Sequence, residues 1–74
     1  MTLANIKPGQ QCTIVSFTDE FLKLKLMEMG CLPGEVIKVI RLAPTGDPMA
    51  VAVSNYVLAI RLSEARTVIV EPFY

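Results

Sequence analysis

The pattern of apolar and polar positions divides the chain into short extended stretches around one helical stretch. Gln11–Phe17 alternates loosely and is rich in Thr, Ile, Val and Phe, which predicts a strand. Glu35–Leu42 is β-branched and apolar on both faces, as in a central or strongly curved strand. Met49–Val53 and Tyr56–Ile60 put Met49, Val51 and Val53, then Tyr56, Leu58 and Ile60, on inward faces. Ser54-Asn55 between them has hairpin length, and Asn55 tolerates the left-handed backbone such a turn needs. Before the first strand, Leu3 and Ile6 are placed to pack and Lys7-Pro8-Gly9-Gln10 reads as a turn. Ala43–Pro48, with two prolines, a glycine and an aspartate, reads as a loop. Ser63-Glu64-Ala65 predicts a single helical turn, Thr67–Val70 a last strand and Glu71–Tyr74 a tail.

The helical stretch is Asp19–Met29. Thr18 is the expected N-cap, and Asp19 and Glu20 suit the positive end of the helix dipole. Phe21–Met29 holds no proline, glycine or β-branched residue. Gly30 stands where a positive φ ends a helix, and Pro33-Gly34 supplies the next turn. Leu22, Leu26 and Met29 fall on one stripe at i, i+4, i+7, the spacing of a core face. Phe21, Leu24 and Met27 form a second stripe, which a helix lying on a small sheet has no means to bury. Two readings are open: Phe21, Leu24 and Met27, with Lys23 beside them, meet a partner, joined by Thr45, Gly46, Asp47 and Pro48 of the loop; or Phe21 folds back onto the barrel and the stripe is ordinary surface. Weak self-association through the same patch is expected when the partner is absent. The expected core is Ile14, Leu22, Leu26, Val39, Val51, Leu58, Ile60 and Val68.

Five short strands with one inserted helix predict a mainly β fold, a small antiparallel barrel that removes exposed edges. Its 74 residues make a single domain, 1–74, with a core too small for much stability of its own. At 53% hydrophobic, such a body cannot hide all its apolar surface, which again points to a partner. Seven acids balance seven bases, so nothing suggests a nucleic-acid or anionic-membrane binder. No apolar run is long enough to cross a bilayer, and the first residues lack the form of a signal peptide. The expected compartment is the cytoplasm, where Cys12 and Cys31 are reduced thiols serving as small core residues.

The candidate chemistry is sparse. Without a histidine or a Gly-rich phosphate loop, the usual bases and nucleophile pairs are missing, so no catalytic role is expected. Cys12, Cys31, Met27, Met29 and Glu28 are the residues that offer donors to a metal, but at no chelating spacing, so no cofactor is expected. Arg61 invites comparison with the arginines that complete a GTPase site in trans; a pairing with Glu64 or Asp47 is the simpler expectation.

Three segments carry a resemblance: Leu26–Gly34 with its Met29-Gly30 and Pro33-Gly34; Ala43-Pro44 with Gly46-Asp47-Pro48; and Leu58-Ala59-Ile60-Arg61 followed by Glu64-Ala65 and Val68–Val70. In this order and spacing the chain resembles the ferrous iron transport protein A family over nearly its whole length. Asn55 stands where members often have glycine, and Lys25 where arginine is common, which loses a guanidinium fork. The resemblance implies an SH3-like β-barrel with a helical insertion, in which Gly30, Pro33, Gly34, Pro44 and Arg61 belong to the structural motif. It implies a non-catalytic accessory of the ferrous iron transporter B, an inner-membrane GTPase and permease met on its cytosolic side, with any association with ferrous iron weak or indirect. Two other readings remain open: a regulatory peptide-binding module related to the C-terminal barrels of iron-dependent repressors, and a small metal-binding or metal-sensing protein.

Overall fold

The computed structural model describes residues 1–73. After a 3₁₀ turn at Leu3–Asn5 come β1 (Gln11–Phe17), α1 (Glu20–Glu28), β2 (Val36–Leu42), β3 (Met49–Val53), β4 (Tyr56–Ile60), α2 (Leu62–Ala65) and β5 (Val68–Phe73). The strands form one antiparallel sheet in the order β4-β3-β2-β1-β5. Bulges at Val15, against β5, and at Ile40, against β3, shift the register by one and add the twist that curls a sheet. Among the described residues no ladder joins β4 to β5, so the curled sheet is an open barrel with two edges.

Helix α1 is cut out of the sequence by its two ends. Its N-cap is Asp19, not Thr18: the Asp19 carboxylate accepts the N–H groups of Phe21 at 2.9 Å and Leu22 at 3.0 Å. Thr18 is engaged elsewhere, its N–H donating to the Thr67 carbonyl at 2.8 Å, so the helix starts one residue later than expected. At the other end Gly30 has φ +99°, its N–H reaches the Met27 carbonyl and the Cys31 N–H reaches that of Leu26. These two bonds, with Leu26 and Cys31 both buried beneath them, make a Schellman closure. Pro33 and Gly34 then turn the chain, and the Gly34 N–H donates to the Ile14 carbonyl at 2.8 Å, stitching the turn to β1.

Three local expectations are corrected. In the β3–β4 hairpin the residue with positive φ is Ser54, at +53°, and not Asn55; a turn with its left-handed residue in the first position needs no glycine in the second. The last strand does not stop at Val70: Glu71, Pro72 and Phe73 pair with Thr13, Cys12 and Gln11. Proline is tolerated there because β5 is an edge strand. The strand also begins at Val68, because the Thr67 N–H and hydroxyl both donate to the Glu64 carbonyl and close α2. Tyr74 of the expected tail lies outside the described residues.

The core runs through the inside of the curl: Leu3, Ile6, Cys12, Ile14, Leu26, Cys31, Ile37, Val39, Met49, Val51, Val53, Ile60, Ala65, Val68 and Val70. Leu22 and Leu58, expected inside, are only half-buried, and Tyr56 is exposed. The reason for Leu58 and Tyr56 is position, since among the described residues β4 is an edge with nothing paired beyond it; Leu22 lies on the same face as Leu26 but one turn earlier, at the N-terminal end of α1. The outer face of β2, with Val36 and Ile40, meets solvent although the strand is central.

Candidate partner-docking surface

The two helical stripes separate only in part: of the expected core stripe Leu26 alone is buried, with Leu22 and Met29 half-buried, and of the second stripe Phe21 and Leu24 are exposed but Met27 is half-buried. Leu26 is fully buried, while Phe21 and Leu24 are 81% and 66% exposed. Lys23 and Met27 are half-buried on the flanks. Both ends of the helix are tied down, so Phe21 and Leu24 are large apolar side chains on a fixed backbone rather than on a loop.

Of the loop residues expected to join them, Thr45, Asp47 and Pro48 are exposed and Gly46 is half-buried. The loop is fastened across itself by Ala43 N–H to the Pro48 carbonyl and by the Thr45 hydroxyl to the Asp47 carbonyl. Its link to α1 runs through α2. The Asp47 carboxylate accepts the Leu62 N–H at 3.1 Å at the start of α2, and Glu64 within α2 binds Lys25 of α1 at 2.6 Å. The Lys25–Glu64 pair was not among the expected contacts. The sequence signal for it is weak, because the partners lie 39 residues apart.

Arg61 does not pair as expected. Its side chain makes no ion pair with either carboxylate assigned to it: one Asp47 oxygen accepts the Leu62 N–H, and Glu64 accepts from Lys25 on one oxygen and from the Arg61 backbone N–H on the other, at 3.1 Å. Lysine therefore fits where an arginine fork would compete, since only one Glu64 oxygen remains for it. The Lys25 ammonium and the Arg61 N–H together hold the Glu64 carboxyl below the usual carboxylate range.

The metal-donor candidates are scattered. Cys12 and Cys31 are buried in the core, where desolvation pushes the Cys12 thiol up to about 11 and raises that of Cys31 as well. Glu28 is exposed at the end of α1. Among the described residues no three carboxylate or thiol side chains gather as they would around an ion. A groove of about 520 Å³ does lie between the end of α1 and β4, lined by Met27, Glu28, Met29, Gly30, Tyr56 and Leu58. A hollow of about 470 Å³ near the N-terminal turn and Phe73 has no carboxylate, thiol or imidazole in its lining.

Residues 1–72 match the model of the FeoA domain. The chain belongs to the FeoA family. That family is involved in ferrous iron transport, and its SH3-like architecture is the open barrel seen here. The solution structure of the Chlorobium tepidum FeoA protein is 31% identical, with TM-score 0.92, over 100% of this chain and 71% of that one. Iron(II) transport protein A from Clostridium thermocellum is 34% identical, with TM-score 0.90, over 97% of this chain but only 45% of that one. The zinc complex of Stenotrophomonas maltophilia FeoA, described as a prokaryotic SH3 domain protein, is 29% identical, with TM-score 0.84, over 96% of this chain and 89% of that one. No curated protein matches the sequence. Among the described residues no helix of this FeoA-family chain is long and apolar enough to cross a membrane.

Proposed function

We propose that this chain is a non-catalytic accessory of ferrous iron uptake that works in the cytoplasm by binding the ferrous iron transporter B through α1. The observation that carries the proposal is the exposure of Phe21 and Leu24 on a helix capped at both ends and anchored by Leu26. Burying a large apolar side chain gains roughly 1.5–3 kcal/mol, whereas association costs an estimated ~4–15 kcal/mol. The complex is therefore transient unless further residues join, and the Thr45–Pro48 loop, linked to α1 only indirectly through α2, is the expected supplier. The Stenotrophomonas maltophilia relative is described as a candidate activating factor of ferrous iron transport, which is the role this surface suits.

The test is Phe21→Glu with Leu24→Glu, assayed for co-purification with the transporter from membranes and for ferrous iron uptake in cells lacking the wild-type chain. Loss of both, with an unchanged melting curve, supports the proposal. Normal co-purification and uptake by the folded double variant overturn it.

A further inference from the structure

The two edges of the open sheet are treated differently. The β5 edge is covered and blunted: the Met1 carbonyl accepts the Val70 N–H at 3.0 Å, Thr2 bridges Ile69, and Glu71 and Pro72 follow in the strand. These are the devices by which proteins keep a sheet edge from pairing with another chain. Among the described residues the β4 edge has none of them. Tyr56-Val57-Leu58-Ala59-Ile60 contains no charge, no proline and no bulge, and Tyr56 and Val57 are 63% and 69% exposed.

Its geometry is also self-complementary. The two-residue turn makes Val53 and Tyr56 a hydrogen-bonded pair, and alternation makes Val51/Leu58 and Met49/Ile60 the next two. Val57 and Ala59 therefore aim their N–H and C=O groups off the sheet, and among the described residues neither takes part in any backbone hydrogen bond outside the strands. We propose that β4 is a self-pairing edge, along which two copies of the chain join antiparallel in register about Leu58 to form one continuous sheet.

In that register Val57 of each copy exchanges both hydrogen bonds with Ala59 of the other. Leu58 faces Leu58, and Tyr56 faces Ile60. Arg61, the nearest charge in the chain, falls opposite Asn55, so no like charges meet along the strand. Side chains directly opposite one another in an antiparallel pair share a face. The Leu58 and Tyr56 brought by the second copy thus lie on the side of the groove lined by Met27, Met29 and Gly30. One strand pair and a filled groove lie near the low end of specific interfaces, around 1,200 Å² in total, so the dimer is weak and depends on concentration. Neither Phe21 nor Leu24 lines that groove, so Leu24→Glu separates this edge from the α1 face even though Met27 borders both.

The experiment is sedimentation over a dilution series of the full chain, with amide hydrogen exchange read by NMR at the two ends of the series. The expected result is a shift from monomer to twice the monomer mass, with Val57 and Ala59 amides becoming protected as concentration rises. Ala59→Pro removes one off-sheet N–H that β3 does not use, and should abolish the dimer. Val57→Lys with Ala59→Lys sets lysine directly opposite lysine on the solvent face. It should weaken association by about tenfold or more, equal to about 1.4 kcal/mol, and it decides the matter if the proline variant does not fold. Leu24→Glu should leave the dimer intact. A monomer across the series, a dimer that survives the lysine pair, a dimer abolished by Leu24→Glu, or protection of Val57 and Ala59 only when transporter is added would each overturn the proposal.

Discussion

At the scale of single residues, two positions carry more than their contacts suggest. Gly30 has φ +99°, and a Cβ built on it would meet nothing within 4 Å. Any cost of substitution is therefore backbone strain and not a clash. Gly30→Ala should destabilise the chain by about 1–2 kcal/mol, and Gly30→Asn by less, as measured by urea unfolding. Equal losses from both would mean that the side chain and not the backbone is resented. Glu64 is the second position. Its folded carboxyl titrates below its unfolded one, chiefly through the hydrogen bond from Lys25 and then that from the Arg61 N–H. The stabilisation is thus complete above the ordinary glutamate range and is lost as pH falls through the lowered folded value. Lys25 is 54% exposed, so the pair is worth less than about 1 kcal/mol. Glu64→Gln should flatten the acid side of the stability curve without changing its neutral plateau by more than that. The buried thiols titrate in the opposite direction. Cys12 and Cys31 should resist alkylation at mildly basic pH and react fully in denaturant, which thiol counting checks directly.

At the scale of elements, the strands and the helix were legible because periodicity is a local property. Gln11–Phe17, Met49–Val53 and Tyr56–Ile60 have the bounds their alternation predicts, and the helix ends at the glycine that marks it. Choices between neighbours were not legible where two groups compete for one role. Thr18 and Asp19 both cap well, and the bonds that Thr18 donates from its N–H and hydroxyl to the carbonyl of Thr67, just before β5 and 49 residues away, settle which one does. Likewise the strand through Pro72 depends on β5 being an edge, which no local pattern announces. The same holds for the surface: the exposure of Phe21 and Leu24 followed from their spacing, but that of Met27 did not, and the Lys25–Glu64 link depended on tertiary folding. Asp19→Ala removes the acceptor of two helix N–H groups and should cost about 0.5–2 kcal/mol, while Thr18→Ala should cost less in the same melt.

At the scale of the whole molecule, this open barrel carries a core anchor and two exposed apolar side chains on the same helix. Leu26 is the fully buried residue of α1 and lies beneath the Schellman closure; Phe21 and Leu24 face away from it. Truncating a buried leucine typically costs about 2–5 kcal/mol, while a core this small supplies only about 3–5 kcal/mol in all. Leu26→Ala should therefore abolish cooperative unfolding, read as loss of the calorimetric transition. Phe21→Glu with Leu24→Glu replaces two exposed apolar groups by solvated ones and should leave the transition within a few degrees of wild type, since surface changes usually stay within about 0.5 kcal/mol. The helix then has one face required for folding and one that folding does not use. If instead the Phe21/Leu24 variant melts as badly as Leu26→Ala, both faces are structural, and no surface on α1 is left over for a partner.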